Sequence, residues 1–504
     1  MTAEPPRTKA PSQTTPGSGF QEHGRLSLCL VFYLALVALF IPIPKFGLPV
    51  SAENLIYAVG IILLLGPLTS GTIHPLARKI AVIVITFMVA RFTIRYFAFA
   101  EHPFHPVMLR RVMLVLMAAA AMRSLRDFRI AASVVIGAVI VNAIFGAMNM
   151  LGVEPAPRIY ATLASISDDS SESLEVKLDK ASKRMVGFCN SAFAASYLFA
   201  PAVLMVFGNL LSATKRRISR VGLYFSWLAI VILTVAMILN AERSSFIALL
   251  TGLYVLFSGR HVQSWKPLIV LATVLGTLLL AYVGKDLLLQ YHQEEGYSFF
   301  HRLETKREGQ FKVRASQQLA GLLTVIKHPL TGGTEDDYQQ VAAKFPAIAE
   351  YEGYGSEALA SHNAYINAGR YAGFLGWVIM GAVLVQVWCG LSSLRRLQNE
   401  LPSEFGLFLG ARAALISCMI NACFHNAGII DGEEMSWALI ALCCGGVAIA
   451  SGKPTPVLKP VQTQLPGHQP RQIMVPNAHN LQGFGNRQTA RRQHAALQKE
   501  PRPS

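Results

Sequence analysis

About a dozen unbroken apolar stretches, each near the roughly 20 residues a helix needs to cross a bilayer, run between positions 26 and 450 and leave this chain few ways to fold. At 504 residues, with 52% hydrophobic and 15% charged side chains, it carries more apolar surface than one soluble core can hide. The stretches are continuous rather than alternating, which selects helices over barrel strands. The expected fold class is therefore all-α, a polytopic membrane helical bundle of about 12 transmembrane helices with a large external loop that carries an amphipathic helix.

The spans fall near 26–43, 55–69, 80–98, 107–122, 130–151, 187–211, 221–239, 245–257, 268–283, 363–391, 405–423 and 435–450. This divides the chain into a disordered cytoplasmic N-terminus (1–25), a first membrane block (26–283), a periplasmic loop (284–361), a second membrane block (362–451) and a disordered basic cytoplasmic tail (452–504). Lys and Arg in short loops resist translocation and mark the cytoplasmic face. Arg78 and Lys79, then Arg123, Arg126 and Arg129, then Lys215, Arg216 and Arg217, then Arg260 and Lys266, then Arg395 and Arg396 all fall on one side. The opposite face receives 44–53, 101–105, the polar stretch 153–185, the turn at Arg243, the loop 284–361 and the surroundings of Asp431.

The first 24 residues are rich in Pro, Thr and Ser without an apolar run, so the first span is expected to act as the insertion signal. The basic tail is best explained by anionic lipid heads, and no nucleic-acid partner is expected. All seven cysteines (Cys29, Cys189, Cys389, Cys418, Cys423, Cys443 and Cys444) lie in or at the ends of apolar segments, where they read as small core residues. No Cys/His spacing of the zinc type occurs, and Asp168–Asp169 and Asp336–Asp337 are isolated pairs, so no metal site is indicated.

The stretch 284–361 is too long for a connection and too patterned for a linker, so it should contain folded structure. Within it Leu319, Leu322, Leu323 and Ile326 recur at helical spacing after Arg314, and the run closes at His328-Pro329 with Gly332-Gly333 beyond. This predicts an amphipathic helix whose leucine stripe packs on the bundle and holds Arg314 at the mouth of the cavity the helices enclose.

Three pieces in order, Arg243 in a short turn, Arg314-Ala315-Ser316 leading a helix into Pro329-Leu330-Thr331-Gly332, and Ser361-His362-Asn363 entering a helix with Gly369, Gly373 and Gly376, resemble the O-antigen ligase and polymerase superfamily. The specific part of the resemblance covers about 239–380. It implies transfer of a glycan from an undecaprenyl diphosphate carrier to an acceptor hydroxyl, such as that of lipid A core, on the periplasmic face of the bacterial inner membrane. No cofactor and no metal is called for, and the transfer is expected to invert the anomeric centre.

Residue chemistry points the same way. Guanidinium groups match a diphosphate with bidentate, charge-assisted hydrogen bonds, and they stabilise the charge that grows on the leaving group. Arg243 and Arg314 are placed for this. An imidazole of reference pKa ~6.5 can take a proton from a sugar hydroxyl near neutral pH, which makes His362 the candidate general base. Glu242 reads as an ion-pair partner that orients Arg243. Arg91, Arg95 and Arg370, with Arg110 and Arg111, sit inside membrane segments, where charge is costly; they are candidate diphosphate or glycan ligands, or pair with loop carboxylates. The three glycines from 369 to 376 read as close-packing positions between helices.

Within this chemistry a ligase is favoured over a polymerase of O-antigen or exopolysaccharide, and a protein oligosaccharyltransferase is also compatible. The competing class is an anion or solute transporter lined by the arginines with Asn142, Asn190, Asn240 and Asn421. A scaffolding protein would need none of Arg243, Arg314 and His362.

Overall fold

The structure, a computed structural model, describes residues 18–39, 52–99, 106–166, 177–178, 181–182, 184–189, 191–213, 220–257, 308–349, 361–394, 405–429 and 432–451. The expected span 268–283, the parts 284–307 and 350–360 of the external loop, the tail 452–504, Asp168, Asp169, Asn190 and Asp431 lie outside the described residues.

The described residues form helices α1 (Ser18–Leu39), α2 (Ala52–Thr69), α3 (Pro75–Phe99), α4 (Pro106–Ala121), α5 (Leu125–Met150), α6 (Ala156–Ile166), α7 (Ala192–Ala213), α8 (Arg220–Asn240), α9 (Arg243–Phe257), α10 (Glu308–Lys327), α11 (Glu335–Ala342), α12 (Pro346–Ala349), α13 (Ala364–Leu394), α14 (Phe405–Ala422) and α15 (Glu434–Ser451). Among them α3, α5, α7, α8, α13 and α15 are long and apolar enough to cross a membrane, and α1, α2, α9 and α14 contain shorter apolar segments. The protein is a polytopic, all-helical membrane protein. Every expected span that falls on described residues coincides with a helix.

The boundaries differ in places that have physical causes. α1 begins at Ser18, ahead of the expected span. The polar stretch after α5 contains α6, whose Ala156, Tyr160 and Ala164, four residues apart, form a small buried cluster with Phe145 and Val186. Two turns of helix need only that stripe, which a search for long apolar runs passes over.

The centre of the bundle is built by α7, α9 and α14, with α15 against α4 and α13 against α3. Closeness here is set by small residues: a Cβ at Gly208 of α7 would lie 2.6 Å from the Gly410 Cα of α14. α15 is buried from Met435 to Val447. The outward faces carry Val82, Ile85, Val89 and Phe97 of α3 and Tyr224, Phe225 and Leu228 of α8, all exposed. Cys29, Cys189, Cys418, Cys443 and Cys444 are buried as expected, whereas Cys389 is exposed on the outer side of α13.

Candidate active site

α8 and α9 are separated by Ala241 and Glu242 alone, and Arg243 opens α9 with its side chain exposed. The turn is pinned from the segment that leads into α7. Asn240 Nδ2 donates to the carbonyls of Met185 (2.7 Å) and Ala192 (3.0 Å), and the Met185 N–H donates to Leu239 O (3.2 Å). The Arg184 guanidinium donates twice to Asn240 O (3.0 and 2.9 Å) and forms an ion pair with Glu242, both side chains being buried. Glu242 was expected to pair with Arg243; the ion-pair partner found for it is Arg184, 58 positions away in sequence. A carboxylate inside an apolar region requires a cation, but sequence spacing cannot say which one folds onto it.

His362 stands at the mouth of α13, half-buried and with a left-handed backbone (φ 48°). Its main-chain N–H donates to Asn426 Oδ1 (2.8 Å), and Asn363 caps the helix by accepting from the N–H groups of Tyr365 (3.0 Å) and Ile366 (3.2 Å). Burial and, after it, the positive charge of Arg314 lower the His362 pKa to about 4 against the opposing charge of Glu242. The ring is therefore neutral at pH 7, and the electrostatic coupling places His362, Arg314 and the Arg243 turn in one neighbourhood. Arg314 itself is half-buried on α10.

A second imidazole lies beside these groups. His425, in the loop between α14 and α15, is buried, with Nε2 2.7 Å from Ser244 Oγ and 3.4 Å from Ser196 Oγ, and its ring against Phe193 and Tyr197. Its pKa is also lowered to about 4, first by burial, with Glu242 raising it and Arg314, His362 and Arg184 lowering it. His425, Asn426, Ser244, Ser196 and Arg184 were not singled out from the sequence. A His-Asn pair in a short loop was the one visible signal.

Residues 228–381 match the family model described as O-antigen ligase, a stretch that contains Arg243, Arg314 and His362. This stretch resembles the O-antigen ligase family. A comparison with curated proteins finds no match. The matched stretch starts within α8 and ends within α13, so Arg184, Ser196, His425 and Asn426 contact it from outside.

Inside the matched stretch, α10 is a helix as expected, but the expected stripe faces the other way. Leu319, Leu322, Leu323 and Ile326 are exposed, and Val313, Gln317, Ala320, Thr324 and Val325 are buried. The reason is steric. A Cβ at Gly321 would lie 2.6 Å from Ile366 Cγ2 and 3.1 Å from Ser361 Cβ, so the small-residue face alone lets α10 approach α13, and the leucines are left for an apolar surrounding. Beyond α10, Thr334 and Asp337 form a capping box for α11, and Asp337 also faces Lys327 (3.6 Å) and His328 (3.3 Å).

The glycines of α13 also act differently from expectation. The helix breaks at Gly373 (φ 60°), where a Cβ would fall on the Pro329 carbonyl oxygen, and the break frees main-chain groups that the loop takes up: Phe374 N–H donates to Pro329 O (2.8 Å) and Gly333 N–H to Arg370 O (2.7 Å). Gly369 lies against Trp377 and Gly376 against Ala368, so these positions pack α13 onto itself across the break.

Arg91, Arg95 and Arg370 form a second group around this loop. Arg370 is buried, bonded to Glu335 (2.8 Å) and stacked on Tyr338 and Tyr371 (4.4 and 4.5 Å). Arg95 donates to Tyr371 O (3.1 Å) and Gly333 O (3.4 Å), and Arg91 lies over Tyr371 (5.9 Å). Arg111 is buried at the start of α4, paired with Glu434 and donating to Gly432 O (2.9 Å) and Tyr33 Oη (3.1 Å). Asn142 and Asn240 donate to neighbouring carbonyls, and Asn421 donates to Ser196 (3.0 Å).

Proposed function

We propose that this protein is a membrane glycosyltransferase of the O-antigen ligase type, which moves a glycan from undecaprenyl diphosphate to a hydroxyl of lipid A core on the periplasmic face of the inner membrane. The observation that carries this reading is the coupling of His362 to Arg314 and Glu242 within a stretch matching the O-antigen ligase family.

In the reaction, the donor diphosphate is held by Arg243 and Arg314. The acceptor oxygen forms a bond to the anomeric carbon, the bond from that carbon to the diphosphate oxygen breaks, and undecaprenyl diphosphate departs with the electron pair. The acceptor proton passes to His362 Nδ1 or Nε2. The arginines stabilise the leaving charge at a partly dry rim better than water does. An imidazole with a pKa of about 4 is always free to accept but is a weak base. A diphosphate beside Arg314 offsets the field that lowers it, so donor binding makes the base stronger. Inversion of the anomeric centre follows from direct displacement. Arg95 and Arg370 serve the diphosphate or glycan indirectly, through the loop 328–335 that they hold at Gly333 and Glu335, and Arg91 stands beside them over Tyr371.

The test is deletion of the gene, complementation with wild type or His362→Ala, and gel analysis of surface polysaccharide and the lipid-linked pool. Loss of long chains from lipopolysaccharide with their accumulation on the carrier, not rescued by His362→Ala, supports the ligase. Accumulation of single repeats would make the protein a polymerase, and an unchanged profile would overturn glycan transfer altogether.

A further inference from the structure

The loop between α14 and α15 reaches the candidate base from outside the matched stretch, through consecutive residues. His425 Nε2 meets Ser244 at the start of α9. Asn426 Oδ1 accepts the His362 N–H at 2.8 Å, and the Asn426 carbonyl accepts from Asn367 Nδ2 (3.1 Å), which sits one turn inside α13. Asn367 Oδ1 in turn accepts from Ser361 Oγ (2.6 Å), the residue before His362. The Ala427 carbonyl accepts from Tyr197 Oη (2.7 Å) of α7. The loop is itself anchored, with Glu433 N–H donating to Gly428 O (3.0 Å) and Trp437 Nε1 to Ile429 O (2.9 Å).

His362 needs such a support. A φ of 48° is one that residues with a Cβ rarely adopt, and they keep it where the surroundings over-determine it. Asn426 holds the His362 N–H, and the Ser361 hydroxyl, donating to Asn367 Oδ1 and to Asn363 O (3.2 Å), ties together the residues on either side of it. A glycine would relieve the strain, but only an imidazole supplies a base.

We propose that Asn426 is a positioning residue for His362, its side-chain oxygen holding the His362 main chain in the left-handed conformation that presents the ring to Arg314 and the acceptor hydroxyl. This rests on His362 acting as the base. Asn426 lies beyond the stretch that matches the family.

The experiment uses full-length protein in detergent, with lipid-linked glycan and lipid A core extracted from the deletion strain. Asn426→Ala removes the acceptor, and turnover should fall about 100-fold, the scale of a misplaced reacting group, with KM for either substrate little changed. Asn426→Asp keeps an oxygen acceptor at the same place and should recover most of the turnover. Its carboxylate also favours the imidazolium, so the acid limb of the pH profile should move upward. The other charged or titratable groups acting on His362 are Arg314 from α10, Glu242 from the α8–α9 turn and His425 from the loop, and they are unchanged in both variants. Wild-type turnover in Asn426→Ala, or an unmoved acid limb in Asn426→Asp, overturns the proposal. If Asn426→Ala does not fold, the Asp variant alone decides through its acid limb. His362→Ala separates the two readings: an inactive His362→Ala beside a fully active Asn426→Ala removes only the role of Asn426, whereas an active His362→Ala removes the base as well.

Discussion

Arg184 and Glu242 form a buried ion pair that clamps the turn before Arg243 to the segment entering α7. The pair fixes a carboxylate whose charge is felt by both His362 and His425, so a structural tie also sets the electrostatics of the candidate site.

Breaking that pair should be costly. Arg184→Ala takes the guanidinium from a buried carboxylate and should lower stability by about 3–5 kcal/mol, read as the melting temperature in detergent. The double variant Arg184→Met with Glu242→Gln should recover part of the loss. An unchanged melting temperature in the single variant would mean the pair is not buried as described.

The pH dependence has a definite sign. His362 and His425 are held neutral with pKa values lowered to about 4, while in the unfolded chain a histidine titrates near ~6.5. Between these values the unfolded chain binds more protons, so stability is full above about 6.5 and declines as the pH falls towards 4. Melting temperatures at pH 7, 6 and 5 should decrease in that order. A flat series would contradict the buried, neutral imidazoles.

The inverted face of α10 gives a paired test. Ala320→Leu forces a larger side chain against Tyr338, Ala342 and Ile348 of α11 and α12 and should cost about 1–3 kcal/mol. Leu322→Ala, on the exposed face, should leave both melting temperature and transfer near wild type. The opposite order of effects would restore the leucine stripe as the packing face.

At the break in α13, Gly373→Ala places a Cβ on the Pro329 carbonyl and forces a conformation that is essentially glycine-only (φ 60°, ψ −155°) on a residue with a side chain. The backbone alone should cost about 1–3 kcal/mol, and the loop 329–335 should become more susceptible to protease. Equal protease resistance in variant and wild type would argue that the loop does not depend on the break.

Much of this protein is legible from residue order. The 3.6-residue period cannot hide an unbroken apolar run, so the helices appear where the runs are, and the span boundaries near 55–69, 221–239 and 435–450 fall close to α2, α8 and α15. Arg243 and His362 stand out as candidates because each sits where an apolar helix starts, and Arg314 because it lies in the first half of α10, the helix that leads to the Pro329–Gly333 turn, all local patterns. The facing of α10 was not. Its apolar stripe of Leu319, Leu322, Leu323 and Ile326 follows helical spacing on either reading, and the choice fell to Gly321, whose significance lies in how near α13 must come, and to Ala320, which packs on α11 and α12.

The partners of the charged groups were likewise invisible. Glu242 finds Arg184, Ser244 finds His425 and His362 finds Asn426 across separations of 58, 181 and 64 residues. Sequence by itself determined that the chain is a bundle of membrane helices with a basic and an acid–base group at the ends of particular ones, because apolar length and local charge depend only on neighbours along the chain. Only the tertiary structure decided which imidazole stands beside which arginine, and what holds His362 in a strained backbone. Hydrogen bonds and ion pairs act over a few ångströms in space, and in a helical bundle that nearness is set by how side chains of different helices fit together.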